Sequence, residues 1–152
     1  MKTLEDELKQ EKFQNEFHKL GINLYHTAAW WKLIQGEFFK KVNLTTQQYN
    51  ILRILRGTKD KKVTLGYISE RMIDKNSNTS RVVDKLYKKS LVSRTYDAQD
   101  RRKIDLQITD KGLALLAELD NDMPKLEANL TAITEDEAKI LNGLLEKLKY
   151  SK

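Results

Sequence analysis

The sequence predicts a mainly α-helical fold with one small β-hairpin, and three observations carry that expectation. Apolar residues recur at helical spacing over most of the 152 residues. The period switches to two only between Leu91 and Ile108, the pattern of paired strands. Six glycines and one proline leave too few turn formers for an all-β architecture or a Gly-rich phosphate loop.

From the N-terminus, residues 4–41 hold two glycines, at positions 21 and 36, and no proline, with Leu20, Leu24, Ala28, Trp31 and Phe38 near helical spacing. A long helix or a helical pair is expected, which Leu4, Leu8, Phe13 and Phe17 either extend or precede as a separate helix. Thr45 and Gln48 form a capping box, satisfying two backbone N–H groups ahead of the stripe Tyr49, Leu52, Leu55. Gly57 is placed to end that helix in a left-handed conformation, followed by the charged loop Thr58 to Lys62. Thr64 caps a short helix with Leu65, Ile68 and Met72 inward. A further helix starts at Asn76 or Ser77 and runs through Val82, Val83 and Leu86. In the hairpin, Val92 and Arg94 alternate with Ser93 and Thr95, and Ile104, Leu106 and Ile108 with Asp105 and Gln107, around the polar tip Tyr96 to Lys103. Thr109 or Asp110 caps a long helix with Leu113, Leu116, Met123, Leu126, Leu130 and Ile133 on its apolar side, and Pro124 predicts a kink or break there. Thr134 and Glu137 form a last capping box, before Leu141, Leu145 and Leu148.

Three short helices with a capped second-to-third turn, then a two-stranded ribbon, describe a winged helix–turn–helix over residues 44–109. The flanking segments, 1–43 and 110–152, carry more apolar stripe than so small a lobe needs. They are expected to be dimerization helices within one 1–152 domain.

Charge follows the same division. The chain holds 28 Lys and Arg against 22 Asp and Glu, a net +6. The nets of residues 1–43, 44–103 and 104–152 are +1, +9 and −4, so the middle third is the anion-binding candidate. The absence of cysteine excludes disulfides, thiol sensing and cysteine-ligated metal. No apolar run approaches the ~18 residues of a membrane span, and the polar first residues lack a signal-peptide core, so a cytoplasmic protein is expected. His18 and His26, eight residues apart, would lie about 12 Å apart on one helix, too far to share a metal. With no nucleophile–His–acid motif, neither an enzyme nor a cofactor is expected.

The run SNTSRVVDKLYKKSLVSR (Ser77 to Arg94), DRRK (Asp100 to Lys103) and ITDKG (Ile108 to Gly112) together resemble the MarR (multiple antibiotic resistance regulator) family of transcription factors. The resemblance is firm from about Leu44 to Leu116 and looser in the terminal helices. It implies a homodimeric transcriptional regulator, a repressor modulated by a small-molecule effector and bound to a pseudo-palindromic double-stranded operator. Ser90 departs from the family, which has Gly at the end of the recognition helix.

In this reading Asn76, Ser77, Asn78, Thr79, Ser80 and Arg81 lie nearest the base edges, with Ser77, Thr79 and Arg81 the leading candidates. The same Ser and Thr hydroxyls can instead cap the helix. Lys85 and Lys88, with Lys89, suit phosphates, and Asp84 is expected to face a basic protein group. Arg101, Arg102 and Lys103 sit at the wing tip, where a narrow minor groove attracts a guanidinium; Arg102 is the favoured entrant, and the resemblance implies that Asp100 orients an arginine. His26, Trp30 and Tyr49 are the candidates for an effector pocket, though aromatic residues at helical spacing also serve as core. Two rival functions are an architectural DNA-binding protein without an effector and a winged-helix protein-interaction module.

Overall fold

The computed structural model describes residues 2–59, 61–96 and 104–150. The elements are α1 (Leu4–Leu8), α2 (Glu16–Lys40), α3 (Thr46–Arg56), β1 (Val63–Thr64), α4 (Leu65–Arg71), α5 (Thr79–Lys88), β2 (Val92–Tyr96), β3 (Ile104–Ile108), α6 (Asp110–Glu127) and α7 (Glu135–Tyr150), with a 3₁₀ turn, Ala128–Leu130, between the last two. The leading segment is thus a separate helix, capped by Thr3 and Asp6.

The core is built on α3. Its capping box, Thr45 with Gln48, forms as expected, and Ile51, Leu52 and Leu55 are fully buried. Around them close Ile68 of α4, Val83 and Leu86 of α5, Leu106 of β3 and Leu116 of α6. Phe39, near the end of α2, completes this core by stacking on Tyr49, with ring centroids 4.2 Å apart.

Among the described residues the wing has three antiparallel strands in the order β1-β3-β2 rather than two. Val63 pairs with Leu106, which on its other side faces Arg94. A two-residue strand is too short to show alternation, so the sequence pattern could not reveal it.

Three other expectations change. Gly57 is right-handed (φ −66°), and the left-handed residue is Lys59. Thr58 takes over the termination, its buried hydroxyl lying 2.7 Å from the Leu55 carbonyl and 3.0 Å from that of Lys61. Pro124 does not break α6, which continues to Glu127 before tightening into the 3₁₀ turn. A helix loses only one N–H at proline, and near its last turn few bonds remain to be lost. Helix α5 begins at Thr79, not at Ser77, and ends at Lys88.

Ser90 closes that helix in the left-handed region (φ 61°). The Leu91 N–H bonds to the Leu86 carbonyl at 3.0 Å and the Ser90 N–H to that of Tyr87 at 2.9 Å, a Schellman-type end. Beside it, Gly112 of α6 is packed so closely that a Cβ would lie 2.5 Å from the Leu91 carbonyl oxygen and 2.7 Å from Ile108 Cγ1. This contact is the physical reason for glycine in the ITDKG run.

In contrast to this lobe, α7 buries no residue. Its Ile140, Leu141, Leu144 and Leu148 remain 48–64% exposed. Leu141, Leu144, Leu145 and Leu148 line an open groove of about 700 Å³ with Leu20 and Leu24 of α2. Among the described residues, no helix is long and apolar enough to cross a membrane.

Candidate nucleic-acid interface

The turn between α4 and α5 is fastened to α3. Asn50 Oδ1 accepts the Ile73 N–H at 3.0 Å, and Gln47 Nε2 donates to Asp74 Oδ2 at 3.3 Å. Asp74 then organises the turn: its Oδ1 accepts from the Asn76 N–H at 3.0 Å, and its carbonyl accepts from Ser77 Oγ at 2.8 Å. Asn78 caps α5, its Oδ1 accepting the Arg81 N–H at 3.0 Å. The cap was expected at Asn76 or Ser77. It falls later because Asp74 has already taken those two residues into its own turn, a competition that Asp and Asn side chains commonly win.

This shift decides which side chains face outward. Thr79, Val83 and Leu86, at helical spacing, point into the core, and Thr79 is only 7% exposed. Thr79 therefore cannot reach a base edge with its side chain, contrary to the expectation. Ser77 is half-buried with its hydroxyl committed to the turn. Asn76, Asn78, Ser80, Arg81, Lys85 and Lys88 are exposed, and Arg81, Lys85 and Lys88 follow one another along the face opposite the core. Lys89 leaves that surface, its ammonium donating to the carbonyl of Asn43 and lying 3.4 Å from Gln48 Oε1.

The wing is coupled to this helix through Arg94 of β2. Its guanidinium pairs with Asp84 of α5, the basic partner expected for that carboxylate, and lies 4.9 Å from the centre of the Tyr87 ring. Among the described residues Arg94 Nε is buried without a hydrogen-bond partner, so the side chain gives up one donor to hold this position. Arg94 carried no signal in the sequence beyond its place in an alternating strand. Asp100, Arg101, Arg102 and Lys103 lie outside the described residues.

The lobe is tied to the flanking helices by Arg56, whose two terminal nitrogens meet Asp120 of α6 at 2.6 and 3.3 Å. The Asp120 hydrogen bond raises the guanidinium pKa further, so Arg56 keeps its charge. The three aromatic candidates for an effector pocket, His26, Trp30 and Tyr49, do not line the grooves described for this chain. Tyr49 belongs to the core, stacked on Phe39 with its hydroxyl 3.6 Å from Met123 Sδ, and burial raises its pKa. Trp30 is 41% exposed and rests on Trp31, while His26 is half-buried on the same helix. A groove of about 440 Å³ opens instead between α2 and α6, with Phe38, Leu119 and Leu126 beside Glu37, Lys41 and Asp122.

A short helix, a pinned turn and a second helix with an outward cationic face, followed by a β-wing locked to that helix, define a winged helix–turn–helix DNA-binding protein. Comparison with known proteins makes this particular. The model of the MarR family matches residues 44–104. The chain is 32% identical over 145 residues to the uncharacterized HTH-type transcriptional regulator YwaE of Bacillus subtilis, spanning 91% of this chain and 81% of that protein. A crystal structure of a MarR transcription factor from Planctomyces limnophilus is 30% identical, with a TM-score of 0.70 over 89% of this chain and 98% of that one. A mutant MarR from E. coli, complexed with operator DNA, shares the fold with a TM-score of 0.77 at 22% identity, covering 91% of this chain and 99% of that one. The chain belongs to the MarR family of transcriptional regulators.

Proposed function

We propose that the protein is a cytoplasmic homodimeric repressor that binds a pseudo-palindromic operator and is released by a small-molecule effector. The observation that carries DNA recognition is the outward face of α5. Ser80, Arg81, Lys85 and Lys88 stand opposite the buried Thr79, Val83 and Leu86, on a helix held by its cap and by the Arg94–Asp84 pair. Arg81 is long enough to meet a guanine edge bidentately, and Asn76, Asn78 and Ser80 flank it. Lys85 and Lys88 suit phosphates, and Arg101, Arg102 and Lys103 are assigned to the minor groove with Asp100 orienting an arginine.

Dimerization is supported by the apolar faces of α2 and α7, which the single chain leaves open along one groove. A second copy would place two α5 helices on successive major grooves about 34 Å apart, which requires a palindromic target. The domain then divides at 44–109, with 1–43 and 110–152 forming the dimer. The groove between α2 and α6 is where an effector would act, because a ligand there touches both a dimerization helix and the element carrying Asp120.

Selection of duplexes from a random library by the purified protein tests this reading. The expected winner is a pseudo-palindrome bound at least about 1000-fold more tightly than a scrambled control, with affinity falling steeply as salt rises. Arg81→Ala with Arg102→Ala should abolish the preference. Equal binding to all duplexes would favour an architectural protein, and no binding would turn attention to a protein partner.

A further inference from the structure

Behind the DNA-facing surface lies a second concave region that recognition of bases does not use. Lys40 at the end of α2, Lys85 and Lys88 of α5, and Lys89 just beyond it line one hollow of about 470 Å³, floored by Leu44 and closed by Asn43, Thr45 and Gln48. Among the described residues, no carboxylate lies within ion-pair distance of any of these four ammonium groups. Lys89 is oriented by the Asn43 carbonyl and by Gln48 Oε1, which are neutral acceptors and leave its charge in place.

Gln48 supplies an independent observation. It is only 3% exposed, and its Oε1 already accepts from the Thr45 N–H at 3.1 Å and from Lys89. Its amide nitrogen has no acceptor among the described residues and belongs to the lining of the hollow. Four like charges gathered around one space are costly, and the Gln48 amide beside them is an unused donor. A multivalent oxyanion relieves both, because it accepts from the amide and neutralises several ammonium groups at once. A monovalent ion relieves only part.

We propose that this hollow binds a free oligophosphate, an inorganic or nucleotide-borne di- or triphosphate, through Lys40, Lys85, Lys88, Lys89 and the Gln48 amide. The volume is within the usual range of small-molecule sites. Lys85 and Lys88 are shared with the proposed DNA face, so an occupied hollow competes with operator phosphates. That consequence alone rests on the DNA-binding reading; direct binding does not.

The test uses the full chain and calorimetric titration with inorganic pyrophosphate and tripolyphosphate, with sulfate at equal ionic strength as the control. Both oligophosphates are expected to bind at least about tenfold more tightly than sulfate, and Lys40→Gln should weaken them by about tenfold. Lys40 is exposed, so the variant should keep the parent's thermal midpoint. Its affinity for the selected duplex should stay within about twofold of the parent's, because Lys40 lies off the α5 recognition face. Pyrophosphate should weaken duplex binding by the parent more than by the variant.

Absent heat, or equal binding of sulfate, would overturn the proposal. So would a Lys40→Gln variant that loses duplex affinity as Lys85→Gln does without any oligophosphate binding, since the hollow would then seat a DNA phosphate. Oligophosphate binding by a protein that selects no duplex would leave this site standing and refute the DNA reading instead.

Discussion

Replacing Leu141 and Leu144 together by alanine should dissociate the proposed dimer while leaving the winged lobe folded. In the single chain these side chains are 48% and 58% exposed, so about half of each remains to be covered by a partner. Complete burial of a leucine contributes ~2 kcal/mol, which makes the uncovered fractions worth ~1 kcal/mol each. Both copies change in a homodimer, so the double variant loses ~4 kcal/mol of association, or about 1000-fold in dimer Kd. Sedimentation equilibrium against protein concentration measures this directly. The lobe provides its own control: α7 contributes nothing to its core, so near-ultraviolet circular dichroism and the urea midpoint of the monomer should report an intact Ile51–Leu86–Leu116 packing. An unchanged dimer Kd would refute the assignment of this face to the second copy. Loss of the lobe's own transition would refute the separation of the two cores.

Gly112→Ala should destabilise the fold by about 2 kcal/mol or more in urea titration, because its Cβ would stand 2.5 Å from a backbone oxygen and the strand end must move. Ser90→Gly should raise stability by about 0.5–1 kcal/mol in the same assay, since it removes a left-handed non-glycine residue without disturbing the two bonds of the helix end. Arg94→Met should cost only about 1 kcal/mol, because Asp84 is half-exposed and stays hydrated, yet it should weaken duplex binding by freeing the wing from α5; a variant with parental affinity would show that the pair plays no part in positioning. Glu137 accepts from the Thr134 N–H, which holds its carboxyl below the ordinary glutamate range. Its folded pKa is depressed, so the capping contribution is present above the unfolded value and is lost as pH falls through the folded one. A carboxyl titration followed by NMR should therefore place Glu137 below the ordinary glutamate value.

How far the sequence could be read depended on the range of the interaction. Capping boxes at Thr45 and Thr134, the caps at Thr64 and Thr109, and the core stripes of α3 and α5 are set by residues within one or two turns, and all were legible. The start of α5 was misplaced by two residues because Asn76, Ser77 and Asn78 are all competent caps. What decides among them is Asp74, itself held by Gln47 of α3, 27 residues earlier in the chain. That displacement turned Thr79 inward and left Arg81 outward. His26, Trp30 and Tyr49 were hard to place for a related reason: spacing puts them on helices but does not say which side meets the core, and Tyr49 stacks on Phe39.

The course of α2 also bears on how a ligand signal would reach DNA. Its N-terminal half, with Leu20 and Leu24, lines the open groove with α7, whereas Phe39 at its other end is buried under α3. One uninterrupted helix of 25 residues thus joins the face assigned to the partner with the core that carries α5. The Arg56–Asp120 pair adds a second rigid link from α3 to α6. Because α5 is packed on α3 through Val83 and Leu86 and locked to the wing by Arg94, it has little freedom to move within its own lobe. A rotation between two protomers must then carry each α5 with it, changing the spacing of the recognition helices without changing their shape. Binding free energy at the α2–α6 groove would act on that spacing only to the extent that the groove differs between the two dimer geometries. Cross-linking distances between Arg81→Cys pairs, measured with and without ligand, should therefore change while circular dichroism of each lobe does not.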